Sequence, residues 1–243
     1  MKSEKENAHR FLTTFERSLQ ALPSALEMDV WVRGTTRANK GPQGDRHLRG
    51  PEAAFLNGHV IPVLFRAICE EGLSVTDAQR ALLNENHPSL PQYSVDSPAR
   101  TVRHPFTKTI GTSPEKIYER WVDPENASAM VQSCPDFALR APFPHSIVFE
   151  GKYFTQGSPK HGRQELVRDI YQAFFYRGLP SVEETKRGRA GWAYEYAVLL
   201  AYDASPLGTL RKAWDDLPAK VRNGFWSGAN LYVMILGGSG REN

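Results

Sequence analysis

Apolar residues recur at helical spacing through the first third of the chain. Over residues 3–22 they return every three or four positions, which predicts an amphipathic helix that ends before Pro23. A second helix is predicted over 51–71, with Pro62 as the expected point of a kink or a break. A shorter helix is predicted over 76–86, capped by a serine or threonine at its start. The N-terminal part therefore reads as helical.

From about residue 129 the pattern changes to strands that alternate with helices. Short runs rich in β-branched and aromatic residues predict strands, and amphipathic stretches predict helices between them. The predicted order is strand 129–140, strand 146–154, helix 164–176, strand 192–202, helix 207–221 and strand 230–236. Strands that alternate with helices predict an α/β fold, with the N-terminal helices packed on it or extending from it.

Composition supports a globular protein and excludes several classes. The chain has 243 residues, of which 40% are hydrophobic and 23% charged, which is far from a disordered composition. Its two cysteines exclude a disulfide scaffold and a cysteine-based zinc cluster. The start has no apolar signal-peptide core and no apolar stretch is long enough for a bilayer, so we expect a cytoplasmic protein without a membrane partner. Neither a P-loop nor a dinucleotide fingerprint is present, so no nucleotide cofactor is expected.

The net charge is only +3, but the basic residues are unevenly distributed. Several lie in glycine-containing or proline-containing stretches that we interpret as loops, where backbone and side chains can approach phosphates. The candidate DNA-binding residues are Arg33, Arg37, Lys40, Arg46, Arg49, Arg103, Lys160 and Arg163. The alternative for each group is an ordinary solvated loop.

Three charged residues fall on the two predicted strands 129–140 and 146–154. Side chains alternate along a strand, so Glu150 and Lys152 project to one side, and Asp136 reaches the same point if the strands are neighbours. Two carboxylates supply the hard oxygen ligands that Mg²⁺ prefers, and a nearby lysine can orient a water or offset developing charge. The alternative is a solvated strand face, with Glu150 and Lys152 as an ion pair and Asp136 as a turn residue.

The pattern Pro135-Asp136 … Glu150-Gly151-Lys152, followed by a helix and a long apolar strand, resembles the PD-(D/E)XK nuclease superfamily. The resemblance implies a restriction-endonuclease-like core, a central mixed β-sheet flanked by helices, over residues 111–243. Residues 1–110 would form a helical region with a basic loop, either a DNA-recognition part or one compact domain with the core. By this resemblance Asp136, Glu150 and the Gly151 carbonyl are metal ligands and Lys152 is the catalytic lysine.

Two further residues follow from the resemblance. Many members add a glutamate from a preceding helix, for which Glu52 is the preferred candidate and Glu70 and Glu119 are rivals. The RecB-like branch carries a Gln-xxx-Tyr motif, which Gln172 and Tyr176 match, so Gln172 is a candidate phosphate-contacting or supporting residue. In that branch a glycine usually precedes the aspartate, whereas this sequence has Cys134-Pro135 before Asp136.

The resulting expectation is a Mg²⁺-dependent endonuclease, with Mn²⁺ as a substitute, that hydrolyses double-stranded DNA. A stand-alone enzyme of the type II restriction kind is expected to act as a homodimer, with each protomer cutting one strand. Two alternatives stay open. One is a non-catalytic nucleic-acid-binding or accessory protein that keeps the fold. The other is a RecB-like nuclease acting on single-stranded, branched or modified DNA.

Overall fold

A computed structural model describes residues 3–21, 51–84, 135–155, 158–177 and 194–238. The helices of this part are α1 (Glu4–Gln20), α2 (Pro51–Phe55), α3 (Ile61–Glu70), α4 (Val75–Ala81), α5 (Pro159–Arg177), α6 (Thr209–Asp215) and α7 (Ala219–Ala229). A π-helical segment (Leu56–Val60) joins α2 to α3. The strands are β1 (Leu82–Asn84), β2 (Phe137–Leu139), β3 (Ile147–Phe154), β4 (Tyr196–Asp203) and β5 (Leu231–Gly237).

The five described strands form one mixed sheet in the order β1-β2-β3-β4-β5. Strand β2 is antiparallel to β1 and to β3, whereas β3, β4 and β5 are parallel to one another. Parallel neighbours need a crossover, and helices supply it: α5 lies between β3 and β4 in sequence, and α6 and α7 between β4 and β5. The predicted α/β class is confirmed.

Helices cover both faces of the sheet. Side chains from α1 to α4 form one hydrophobic core with β2 to β5, and those from α5 to α7 form a second core on the other face. Because both faces are covered, β4 is buried at all eight of its positions, as the apolar run over its first seven residues predicts, and its last residue is the buried Asp203. The sheet thus lies between two helical layers.

Helix α1 begins where its sequence predicts. Ser3 is the N-cap, its hydroxyl accepts from the Glu6 backbone N–H at 3.3 Å, and the Glu6 carboxylate accepts from the Ser3 N–H at 2.8 Å. This reciprocal pair satisfies two backbone donors that a helix end leaves open. The helix prediction over 3–22 is confirmed, as are the predictions for β3, α5 and β5 to within a few residues at most boundaries.

The predicted helix over 76–86 is too long. The helix ends at Ala81, because Leu82 has an extended backbone and starts β1, which pairs with β2 at Leu82↔Leu139. Three residues are too few to show a strand periodicity, so pairing with β2 decides their conformation. Of the predicted strand 129–140, the described part forms β2, and residues 129–134 lie outside the described residues.

The single helix predicted over 207–221 is wrong. The structure has two helices there, α6 ending at Asp215 and α7 beginning after Pro218. Proline has no backbone N–H to continue a helix, and its ring favours the start of the next one. The chain therefore turns at this proline and continues as a separate helix.

The N-terminal region and the region after residue 111 share one sheet and one core. Strand β1 pairs with β2, and α1 and α3 pack on the sheet face formed by β2 to β5. The expected boundary near residue 110 lies outside the described residues. Among the described helices, none combines the length and apolar character needed to cross a membrane.

Candidate active site

Strand β2 stops early and leaves part of β3 without a strand on that side in the described structure. The pairing ends at Phe137↔Phe149, and Asp136 directly precedes β2, so one further step of the same register would bring it opposite Glu150. Residues directly opposite in an antiparallel pair have Cβ atoms about 5 Å apart. The sequence predicts that Asp136 and Glu150 come close only if their two strands are neighbours in the sheet. Strands β2 and β3 are neighbours.

Two carboxylates take the place of a strand partner beyond this point. The Gly151 backbone N–H donates to Asp136 Oδ2 at 2.6 Å, and the Tyr153 N–H donates to Glu52 Oε2 at 3.2 Å. Unpaired backbone donors at a sheet edge need an acceptor, and charge-assisted hydrogen bonds are the stronger kind. The edge of β3 therefore holds Asp136 and Glu52 in fixed positions.

Helix α2 and the π-helical segment approach β3 closely because residue 151 is glycine. A Cβ added at Gly151 would lie 2.5 Å from Leu56 Cδ2, well inside van der Waals contact. Leu56 is buried in the core under this strand and lies one turn after Glu52. The absent side chain at Gly151 thus permits the packing that brings Glu52 to the edge.

The π-helical segment lies one turn before Pro62. The Ile61 N–H donates to the Leu56 carbonyl, five residues back, instead of four. Pro62 cannot donate to the carbonyl of residue 58 and its ring crowds that carbonyl, so the preceding turn widens. The kink or break predicted at Pro62 takes the form of this π-helical turn in a chain that stays helical, and the turn falls beside the candidate site.

Glu150 has strongly negative surroundings. It shares with Val148 the sheet face that α5 covers, and the residue as a whole is half-buried. Burial raises the pKa of the Glu150 carboxyl well above its ordinary value, and the charges of Asp136, Asp169 and Glu52 raise it further, while Lys152 acts in the opposite direction. The cluster therefore carries more negative charge than its lysine balances.

The Lys152 ammonium lies between two carboxylates. Its Nζ is 3.8 Å from Glu52 Oε2 and 3.8 Å from Glu165 Oε2. The Lys152 side chain is 25% exposed, so it is reachable from solvent while being largely enclosed. Lys152 thus contacts Glu52 and Glu165, and it shares the strand face of Glu150, as the alternation along β3 predicts.

Helix α5 contributes two acidic residues that sequence reasoning missed. Glu165 contacts Lys152, and Asp169, one turn later, is 2% exposed and acts electrostatically on Glu150. The sequence did contain a signal for these two residues, since both lie beside the apolar stripe formed by Leu166 and Ile170. A carboxylate next to a buried helix face indicates a charged partner there, because carboxylates are rarely buried without one. Gln172 lies on the same helix, and its side chain is outside the described part of the structure.

The structure separates the three candidate helix glutamates. Glu52 lies in the cluster, whereas Glu70 is exposed and pairs with Arg66 at 2.9 Å on its own helix. Glu119 lies outside the described residues.

The candidate DNA-binding residues are only partly covered. Lys160 and Arg163 are exposed in the first turns of α5, so their assignment to a loop is wrong, since Pro159 already starts the helix. The others lie outside the described residues, namely Arg33, Arg37, Lys40, Arg46, Arg49 and Arg103.

The donor set suits a cation that takes few protein ligands. Within the described ranges, no group of three or more His, Cys, Asp or Glu side chains is arranged to hold a metal ion. The Asp136 carboxylate accepts from the backbone of the residue next to Glu150, and the Gly151 carbonyl points to the same edge as its N–H in an extended strand. Mg²⁺ keeps several waters and is commonly held by one or two carboxylates, so these three groups fit it. The negative excess around Glu150 favours a cation here.

Comparison with protein-family models, curated proteins and solved structures gives no match for this chain.

Proposed function

We propose that this chain is a Mg²⁺-dependent endonuclease with a restriction-endonuclease-like core. The observation that carries the proposal is the grouping of Asp136, Glu150 and Lys152 at the edge of β3. Asp136 Oδ2 accepts from the Gly151 N–H at 2.6 Å, and Glu150 and Lys152, on either side of Gly151, share a strand face. A mixed sheet covered by helices on both faces, with one carboxylate directly before β2 and the other on the adjacent β3, agrees with the arrangement that the PD-(D/E)XK resemblance implies. Mg²⁺ is the preferred metal, and Mn²⁺ is expected to replace it.

The reaction is hydrolysis of a phosphodiester. Water adds to phosphorus, the bond from phosphorus to the leaving oxygen breaks, and the leaving oxygen takes up a proton. When bound, Mg²⁺ would supply polarisation of a phosphoryl oxygen and a lowered pKa of the attacking water. Asp136 and Glu150 would hold the metal, and the hydrogen bond from the Gly151 N–H fixes the orientation of Asp136. Lys152 stabilises the negative charge that develops on the phosphoryl oxygens.

The proposed substrate is double-stranded DNA. Lys160 and Arg163 are exposed at the start of α5, the helix that also carries Glu165, and are available for phosphate contacts near the cluster. A single cluster of this kind cuts one strand, so cleavage of both strands at a symmetric sequence is proposed to need a homodimer.

Cleavage of supercoiled plasmid tests the proposed function. Wild-type protein with Mg²⁺ is expected to give discrete linear products, and EDTA to abolish them. Lys152→Met is expected to lower the rate by about 100-fold or more, in the range found when one charge-stabilising group is removed. Glu71→Gln is the matched control, because it breaks an exposed ion pair with Arg10 at the end of α3 and leaves the cluster intact.

Each other outcome identifies an alternative. Progressive shortening from DNA ends would favour a RecB-like nuclease. Binding of DNA without Mg²⁺-dependent cleavage would favour a non-catalytic binding protein. Cleavage that survives in Lys152→Met at the wild-type rate would contradict the assignment of the site.

A further inference from the structure

The Lys152 ammonium is held by helices on opposite faces of the sheet. Glu52 lies on α2, which packs with the helical layer of α1 to α4, and Glu165 lies on α5 in the other layer. Both place a carboxylate oxygen 3.8 Å from Lys152 Nζ. The Lys152 ammonium therefore interacts with one carboxylate from each helical layer.

A lysine side chain needs such restraint to act at a defined point. It has four flexible carbon–carbon bonds, and its charge is a compact ammonium without the planar geometry that orients arginine. Attraction to one carboxylate still lets the ammonium swing around it, whereas attraction to two carboxylates on different elements leaves a narrower range of positions. Glu52 also accepts the Tyr153 N–H, so its position is coupled to the β3 backbone.

We propose that Glu165 is a positioning residue for Lys152. From α5 it holds the ammonium over the edge of β3 in the orientation needed at the phosphate. The inference rests on the proposed nuclease function, and it adds a residue that neither the spacing of motifs nor the resemblance assigned. Glu165 is 21% exposed, so its interaction with Lys152 is partly shielded from solvent.

A double-mutant cycle on unfolding tests the contact without using activity. Metal-free wild type, Lys152→Met, Glu165→Gln and the double variant are unfolded in urea. The effect of the double variant on the unfolding equilibrium constant is expected to differ from the product of the single effects by at least about twofold. Glu71→Gln combined with Lys152→Met is the control cycle and is expected to be additive. Lys152→Gln replaces Lys152→Met if the methionine variant does not fold.

Cleavage kinetics test the role. Glu165→Gln is expected to lower kcat by about 10- to 100-fold, as misplacement of a reacting group does, while the KM for DNA and the Mg²⁺ concentration for half-maximal rate change less than about twofold. Glu165→Asp, which keeps the charge, is expected to recover part of the lost kcat. A merely structural role for Glu165 would lower thermal stability without this split between kcat and KM.

The outcomes separate the inference from the proposed function. An additive cycle, or an unchanged kcat in Glu165→Gln, with an active wild type would overturn the positioning role alone. A wild type that cleaves no DNA under any divalent cation would overturn the nuclease proposal, whatever the cycle shows.

Discussion

The carboxyl of Glu150 lies near those of Asp136, Asp169 and Glu52, and among the described residues Lys152 alone acts on it with the opposite sign. A folded protein tolerates such a site at a cost in stability, because burying like charges together is unfavourable. Clusters of like charge are common at functional sites, where a bound cation can neutralise the excess negative charge.

Removing the Glu150 charge is expected to stabilise the metal-free protein at neutral pH. Glu150→Gln is expected to raise the free energy of unfolding by on the order of 1 kcal/mol in EDTA, because it removes a carboxylate whose charge is disfavoured by burial and by three neighbouring carboxylates. Urea unfolding at pH 7 measures the change. A loss of stability would show that the Glu150 carboxylate is held by favourable contacts instead.

The same residue predicts a pH dependence. Since the folded protein holds the Glu150 proton more tightly than the unfolded chain does, its contribution to stability is present below the ordinary carboxyl pKa. That contribution is lost as the pH rises through the raised pKa of the folded state. The wild-type minus Glu150→Gln difference in unfolding free energy is expected to fall over this window and then level off. A difference that does not change with pH would contradict the raised pKa.

Gly151 allows a further residue-scale prediction. Gly151→Ala places a methyl group against Leu56 and is expected to cost about 1–3 kcal/mol through overpacking. In a Leu56→Ala background the same change is expected to cost less, because the opposing side chain is gone. Thermal unfolding of the four proteins measures this coupling, and equal costs in both backgrounds would show that the contact is unimportant.

At the scale of elements, a buried acidic residue connects a strand to a helix. Asp203, at the end of β4, is 1% exposed, and its Oδ1 accepts from the Ser205 N–H at 2.9 Å and hydroxyl at 2.5 Å. Its Oδ2 accepts from the Arg211 N–H at 2.8 Å. The carboxylate thereby joins the end of β4 to the first turn of α6.

Asp203→Ala is expected to cost about 2–4 kcal/mol, because it leaves three donors in a buried turn without their acceptor. The expected kcat, measured where the variant is folded, stays within about twofold of wild type. Asp203 and Glu150 thus predict opposite changes in unfolding free energy, and chemical unfolding of the two variants side by side tests this contrast.

Helix α5, which carries Glu165 and Asp169, was predictable from the sequence only in part. The helix itself was predictable from its apolar stripe, and the common face of Glu150 and Lys152 from strand alternation. The meeting of Glu165 with Lys152 was not, because it depends on how α5 packs across β3. The three residues of β1 were missed for the same reason, since only their pairing with β2 distinguishes them from a helix end.

At the scale of the whole molecule, one sheet face depends on the N-terminal helices. Phe11, Leu12 and Phe15 of α1 and Leu64 of α3 are buried in the core with strands β2 to β5. Sequence periodicity predicted the α/β class and most of the order of elements. It left open whether the N-terminal region forms a separate domain. The apolar face of an amphipathic helix shows that the helix packs on something, but not which element of the fold it packs on.

A fragment of residues 111–243 is expected not to fold cooperatively by itself. It lacks the helices that cover one sheet face and lacks β1, and exposing such a face costs about 25 cal/mol for each Å² of apolar surface. Circular dichroism during thermal unfolding measures this, with the full chain as the control. A sharp transition in the fragment would show that the region after residue 111 is an independent domain.

A crystal structure of the full chain with Mn²⁺ tests the central claim most directly, since Mn²⁺ gives an anomalous signal and is expected to replace Mg²⁺. The expected result is one anomalous peak between Asp136 and Glu150, with carboxylate oxygens and the Gly151 carbonyl roughly 2 Å away. The peak is expected to be lost in Asp136→Asn. A fully soaked crystal with no peak at this edge of β3, or with its peak elsewhere on the molecule, would contradict the proposed metal-dependent site.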